Sequence, residues 1–579
     1  MKKSTKIMSL ALSALFAFGG LTACGGGGSQ GGSGTKVDEK TIVVKVRRAG
    51  FGTDWLYELK GQFEEAYKEQ GYKVKILTPD NSINGETVVK ELALGYDKVG
   101  VDLYITSGIT PDTVGVDGDY GVLVADLTES VYNKSAIAYN GAEEGTNVID
   151  KVSGDVMTYM TASTGEQYAY CWAQSSGGLV VNTKKLAKYG LEMPNTTNEM
   201  FDCFEAIYCG NDVMGGSMST GTYPITYVSG GNGYGVVFLH TLVAQYNSDY
   251  FNTLWSFQTK AEDGSVVQLS DVECQQLYND PAMLEMLNVA YRTFDQNIAS
   301  PGSLSQTVDQ AQAKIMDDIY DGAVFMFNGD WMLNEVKLNY KEFLHDIDFM
   351  NFPVTSALGK KLFGAGTSYN FDEAKCDQLL SCIIDSVDEN KEIDEIIADV
   401  KAEMNIDVAE ADVKDVARAR GVSYSRGVEH VAYVTKGSPK MDIVSLFLRM
   451  MSSDDFGKTF LRTANGATPY YAAENTATEY EFVRSASKVT ANKYFSLIST
   501  FGGARGYRKQ LNLQSFFSTV SHLPDYISEK SKASIYTQDG KKNDNTLEVY
   551  STAAAALAKE EVDNLVKNWS KYQESAGSK

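Results

Sequence analysis

Apolar and polar positions alternate along this chain with two periods, and the alternation between them sets out its architecture. Thr41-Ile-Val-Val-Lys-Val46 is a β-branched run and predicts a strand. After the loop Gly50-Phe51-Gly52-Thr53, a helix is expected from Asp54, with Trp55, Leu59, Phe63 and Ala66/Tyr67 on one face. Tyr72–Leu77 predicts a strand and Thr87–Leu94 a helix. Val101-Asp-Leu-Tyr-Ile105 predicts a strand ending in Thr106-Ser107-Gly108. This rhythm is that of an α/β sheet with parallel strands.

A second region opens near Tyr168. Gly178-Leu-Val-Val-Asn182 predicts a strand, and Leu186 and Tyr189 fall on a short helix. Pro194-Asn-Thr-Thr opens a helix through Phe201, Phe204 and Ile207. The loop Gly230-Gly-Asn-Gly-Tyr-Gly235 feeds an apolar helix from Val236. Helices are expected at about 281–298 and 305–320. Ala323-Val-Phe-Met-Phe327 predicts a strand, with Gly329-Asp330-Trp331 leading into a helix, and Ile347–Phe352 predicts another strand. Residues 385–420 are rich in Asp, Glu, Lys and Ala, which predicts solvated helices inserted into a lobe. A strand over Val428–Val434, a helix over Asp442–Met451 and a closing helix over Val549–Tyr572 complete the pattern.

The amino terminus has a different pattern. Lys2, Lys3 and Lys6 precede an apolar run from Ile7 to Phe18, shorter than the roughly 20 residues a membrane-spanning helix needs. A basic start and short apolar middle are the layout of a secretory signal. The run ends in Leu21-Thr-Ala-Cys24, which resembles the bacterial lipobox and implies a diacylglyceryl group on Cys24. Residues 1–23 are therefore expected to be a signal peptide. Residues 24–40, nearly all Gly and Ser up to Gly34, are expected to be a flexible tether reaching on the order of 20 Å. The expected location is the outer face of the cell membrane, with the lipid as the membrane contact.

A formal charge of −23 argues against nucleic acid and anionic lipid surfaces as partners. Cys171, Cys203, Cys209, Cys274, Cys376 and Cys382 show no CxxC pair and no zinc spacing. Buried free thiols are the expectation, with Cys203–Cys209 and Cys376–Cys382 as the local pairs to check. The four histidines form neither HExxH nor HxxxH, and no GxSxG elbow occurs. Gly457-Lys458-Thr459 mimics a P-loop end, but Ser452 stands where its first glycine belongs. No catalytic residues, metal or cofactor are assigned, although a glycosidase-type carboxylate pair stays open among 75 acidic residues.

Four segments together resemble family 1 extracellular solute-binding proteins, the carbohydrate-capturing components of ABC importers such as maltose-binding proteins. They are Leu179–Thr196, Asp321–Trp331, His430–Lys440 with Ser452–Asp455, and Asn465-Gly-Ala-Thr-Pro469. They fall within residues 41–475, most of which the resemblance covers. The resemblance implies a two-lobed, type II periplasmic-binding-protein-like α/β fold. Each lobe would be a mixed sheet flanked by helices, with ligand in the cleft between lobes. The expected division is 41–165 with 356–475 as lobe 1, carrying the 385–420 insert, and 166–355 with 476–579 as lobe 2. The implied partners are a carbohydrate ligand and the importer's membrane permease, and the protein is expected to be a monomer. A peptide or metal ligand is the alternative, the latter through Tyr470-Tyr471.

A sugar needs flat aromatic surface for its C–H face and planar donors and acceptors for its hydroxyls. Ligand-facing groups of α/β lobes sit after the carboxyl ends of strands. That selects Thr53, Asp54 and Trp55, then Ser107 and Gly108, then Asp330 and Trp331. By the resemblance, Trp331 holds the position of a tryptophan that stacks on the sugar. Trp172, beside Gln174 and Ser175, is a candidate contact from a crossing segment. Tyr234, Tyr369 and Arg505 complete the candidate set.

Overall fold

The computed structural model describes residues 38–79, 83–116, 121–210, 221–229, 234–316, 322–424, 429–499, 508, 511, 523–530 and 533–577. The strands, in chain order, are β1 (Thr41–Val46), β2 (Lys73–Ile76), β3 (Leu103–Ser107), β4 (Ser135–Ile137), β5 (Glu143–Asn147), β6 (Tyr170–Cys171), β7 (Gly177–Asn182) and β8 (Tyr223–Thr226). They continue as β9 (Gln258–Lys260), β10 (Val266–Gln268), β11 (Ala323–Gly329), β12 (Ile347–Met350), β13 (Val422–Tyr424), β14 (His430–Val434) and β15 (Ser496–Ile498).

Two mixed sheets organise the chain. The first runs β2-β1-β3-β14-β6. Its β1, β2 and β3 are parallel, Val44 pairing with Leu103, and β14 runs antiparallel to β3 and β6. The helix Asp54–Ala66 lays Trp55, Leu56, Leu59 and Phe63 on this sheet, as their spacing predicts. The second sheet runs β12-β7-β11-β8, with β7 antiparallel to both neighbours and β8 parallel to β11. All seven residues of β11 are buried, the mark of a strand covered on both faces. The fold is therefore α/β with a mixed sheet in each lobe.

The chain passes between the lobes along Trp172–Ser176, which joins β6 to β7, and it returns to the first sheet at β14. A short parallel pair, β13 with β15, lies beside the first crossing, where the hydroxyls of Ser176 and Ser423 are 2.6 Å apart.

Helices Ser356–Phe363, Glu373–Asp388, Ile393–Met404 and Glu410–Gly421 form one layer with its own core, including Leu379, Ile383, Ile396, Val400, Val413 and Val416. The layer begins at Ser356, and it packs on the second lobe rather than the first. Asn195 donates to Asp385 at 2.7 Å and Thr196 to Asp377 at 2.8 Å. Arg418 donates to the carbonyls of Ala244 and Gln245 at 2.9 and 3.0 Å. The physical reason is the apolar stripe at three- and four-residue spacing, which needs a partner surface despite the charged opposite face. The closing helix Glu548–Gly577 runs along helix Pro281–Thr293.

None of the six cysteines from Cys171 onward is in a disulfide. Cys203 and Cys209 share one helix, as do Cys376 and Cys382. Six residues of helix rise about 9 Å, beyond the roughly 7 Å a disulfide allows between Cα atoms. Among the described residues no helix is long and apolar enough to cross a membrane.

Candidate functional site

The carboxyl ends of β1 and β3 in one lobe and of β11 in the other converge on the junction between lobes. After β1, the Arg47 guanidinium donates to the Ser107 hydroxyl at the end of β3, at 2.6 Å. Gly52 takes a positive φ of 67°, so the chain turns sharply into helix Asp54–Ala66. Thr53 caps that helix through its backbone and is half-buried, while Asp54 is exposed in the first turn. Gly108 is exposed, has φ of 76°, and donates its N–H to the Glu429 carbonyl at 2.9 Å.

From the second lobe, β11 ends at Gly329. Asp330 and Ser176 then exchange hydrogen bonds. The Asp330 N–H donates to the Ser176 carbonyl, and the Ser176 N–H donates to Asp330 Oδ2, both at 3.1 Å. Asp330 is buried, and burial pushes its carboxyl up to about 8, against the lowering effect of the backbone N–H groups that face it.

Trp331, 7% exposed, groups with the apolar core of the first lobe although it is borne by the second. Its ring lies 5.4 Å from that of Tyr234 at 55°. A Cβ placed on Gly50 of the first lobe would stand 3.5 Å from Trp331 Cβ and 3.3 Å from Glu335 Oε1. Farther along, Asn334 donates to the Ala464 carbonyl and accepts from Asn465 at 3.1 Å. Glu335 accepts from Gln312 at 2.7 Å, and burial raises its carboxyl to about 6. The lobes thus meet through Gly50, Ala464 and Asn465 on one side and Trp331, Asn334 and Glu335 on the other.

Other candidates lie elsewhere. Trp55 and Trp172 are fully buried and stack on each other at 5.1 Å and 20°, inside the first lobe's core. Their indole N–H groups donate to the Gly52 and Thr106 carbonyls, both at 3.1 Å, so their polar edges are spent internally. Neither offers a face to a ligand in this arrangement. Tyr369 belongs to the helical layer, where its hydroxyl donates to Asp412 and accepts from the Ala409 N–H, both at 2.8 Å. It follows helix Ser356–Phe363, which packs on helix Glu373–Asp388 in the core of that layer. Tyr470 is buried and stacks on Tyr170 at 5.0 Å, and burial raises its phenol well above the usual range. A neutral packed phenol is a poor metal ligand. Arg505, Cys24 and Gly230–Gly233 lie outside the described residues.

Gly50, Asn334, Glu335, Ala464 and Asn465 escaped the sequence reading as site residues. Asn334 and Glu335 stand three and four positions after Trp331, on the same helical face, and that spacing was the available signal.

No protein-family model and no curated protein matches the chain. Among solved structures it is similar to a probable secreted solute-binding lipoprotein from Streptomyces coelicolor, with TM-score 0.52 and 12% identity, over 90% of this chain and 98% of that one. The fold is that of a two-lobed solute-binding protein. Further similar structures are a chitin oligosaccharide binding protein, with TM-score 0.49 and 12% identity over 90% and 100% of the two chains, and a cyclic alpha-maltosyl-1,6-maltose binding protein from Arthrobacter globiformis, with TM-score 0.46 and 14% identity over 90% and 99%. At such identities the likeness concerns the fold alone.

Proposed function

We propose that this chain is an extracytoplasmic binding protein that captures a carbohydrate, an oligosaccharide by the resemblance, and delivers it to an ABC importer. The observation that carries this reading is the seat of Trp331. One lobe bears the indole, the other covers it with Gly50, and Tyr234 flanks it. A flat aromatic at a lobe junction suits the C–H face of a sugar ring. A ligand held by both lobes stabilises only the closed arrangement, which couples capture to a change of shape that a permease can sense. Membrane attachment through a lipid on Cys24, which Leu21-Thr-Ala-Cys24 implies, is part of the same proposal. The two-lobed fold shared with a secreted solute-binding lipoprotein is in keeping with it.

The test is a thermal-shift panel of neutral di- to hexasaccharides on the domain from Thr41, followed by titration of the best ligand. A glycan that binds only the native state raises the melting temperature by mass action. The expected result is reversible binding with the glycan recovered unaltered. Cleaved product after prolonged incubation would reassign the chain to the enzymes, and tight peptide or metal binding with no glycan response would reassign the ligand.

A further inference from the structure

Four buried side-chain oxygens, on or next to one crossing segment, have no hydrogen-bond partner among the described residues: Thr106 Oγ1, Ser175 Oγ, Asp330 Oδ1 and Thr468 Oγ1. None of the four residues is more than 3% exposed. They come from distant parts of the sequence, yet each is tied to the stretch Trp172–Ser176. The Thr106 carbonyl accepts from the Trp172 indole at 3.1 Å. Ala467, next to Thr468, accepts from the Gln174 N–H at 2.9 Å. Asp330 and Ser176 exchange their two bonds, and Ser175 lies within the stretch itself. Thr106 is the penultimate residue of β3 in the first lobe, Asp330 follows β11 of the second, and Thr468 lies in the Asn465–Pro469 segment.

A buried polar atom without a partner is destabilising, and folded chains keep few of them. Four such atoms on residues that belong to one five-residue stretch, or are linked to it by hydrogen bonds of their own or of a neighbour, where the chain changes lobes, point to a partner that arrives from outside. We propose that Thr106, Ser175, Asp330 and Thr468 are the polar specificity residues of the binding site and read the hydroxyl groups of a neutral polyhydroxy ligand. This rests on the carbohydrate reading and adds the residues that discriminate among glycans. The chemistry matches on both sides. Three of the four are hydroxyls, which donate and accept, as sugar hydroxyls do. The fourth is a carboxyl oxygen, an acceptor for a hydroxyl donor when ionised. Trp331 supplies flat surface from the same turn as Asp330, so one turn presents both a stacking face and an edge group. A site built to bond a hydroxyl rejects the analogue that lacks it, because its own polar atoms are then left unpaired.

The experiment uses near-isosteric replacements in the full folded domain: Thr106→Val, Ser175→Ala and Thr468→Val. Each is measured twice, as the melting temperature without ligand and as affinity for the best glycan of the panel. Removing an unpartnered hydroxyl should leave the ligand-free melting temperature unchanged or raise it, and weaken glycan binding about tenfold or more. Deoxy analogues of that glycan should lose their disadvantage on the matching variant. A lower melting temperature with unchanged affinity in all three variants overturns the proposal, since the hydroxyls would then hold the fold through buried water. Unchanged values of both kinds overturn it as well, while leaving the carbohydrate reading intact. A wild-type protein that answers no glycan in the panel defeats the carbohydrate reading and this proposal together.

Discussion

The Trp331 ring lies so close over Gly329 that a Cβ built on the glycine would fall 2.1 Å from the ring atom Cζ3. The last residue of β11 is therefore glycine for space, and the indole uses that space to fold back toward the other lobe. Gly329→Ala should push the ring off its seat while leaving Trp331 in the sequence. Overpacking of this kind costs about 1–3 kcal/mol. The expected outcome is a lower melting temperature together with weaker glycan binding, read by calorimetry and titration on the same variant. Full glycan affinity in Gly329→Ala would separate the ring's seat from the ligand.

Trp331→Ala tests the ring itself. A desolvated aromatic at the centre of an interface typically costs about 2–4 kcal/mol when truncated, roughly 30- to 1000-fold in affinity. Emptying a core tryptophan site instead costs about 3–5 kcal/mol of stability. Trp331 clusters with first-lobe core residues, so some loss of stability is expected alongside the loss of affinity. An unstable variant with unchanged glycan affinity would assign the residue to lobe packing alone.

These tests concern the part of the candidate site that was legible in sequence, and the reason is local. Gly329-Asp330-Trp331 follows a short, continuous apolar run that predicts a buried strand, and ligand-facing groups of α/β lobes sit after such strands. The stripe of Trp55, Leu59 and Phe63 was equally legible as one helix face, and it packs in the core, which removes Trp55 from the ligand contacts that its place after β1 had suggested. Trp172 was not, because its stacking on Trp55 joins residues far apart in sequence, and no periodicity encodes such a pair. The helical layer was visible as helices but misplaced. Its charged faces dominate the composition, whereas docking on the second lobe depends on Asn195, Thr196 and Arg418 finding partners across the chain. Tyr369 failed with it, being a local clamp on Asp412.

At the opposite edge of the first lobe, Asp102 is fully buried and accepts from the Val43 N–H at 2.7 Å, the Ser438 hydroxyl at 2.6 Å and the Lys440 ammonium at 2.9 Å. Lys440 also donates to the Thr41 carbonyl at 2.6 Å, so the pair staples β1 to the segment after β14. Removing one member of a buried pair leaves an unpaired charge, at about 3–5 kcal/mol. Asp102→Ala should lower unfolding stability by that order, with glycan affinity of the remaining folded protein unchanged. Denaturant unfolding at constant pH measures the first quantity and titration the second. A loss below about 1 kcal/mol would show that water reaches the pair.

The buried Asp330 carboxyl makes stability depend on pH in a definite direction. In the unfolded chain it ionises near its ordinary 3.8, and in the folded chain only near about 8. Between those values the native state binds the extra proton, so stability is full below pH 4 and falls as pH rises toward 8, by up to about 1.4 kcal/mol per pH unit for this one group. Glu335, raised to about 6, acts in the same direction over a shorter window. Asp330→Asn keeps the shape and cannot ionise, so it should flatten the pH dependence and gain stability over wild type most at pH 8. Ligand should act oppositely. A sugar hydroxyl donating to Asp330 Oδ1 favours the carboxylate, so binding releases a proton and tightens from pH 5 to 8. Calorimetry at both pH values, in two buffers of different ionisation enthalpy, counts that proton. Wild type and Asp330→Asn with the same pH profile, and no proton released on binding, would remove Asp330 from both roles.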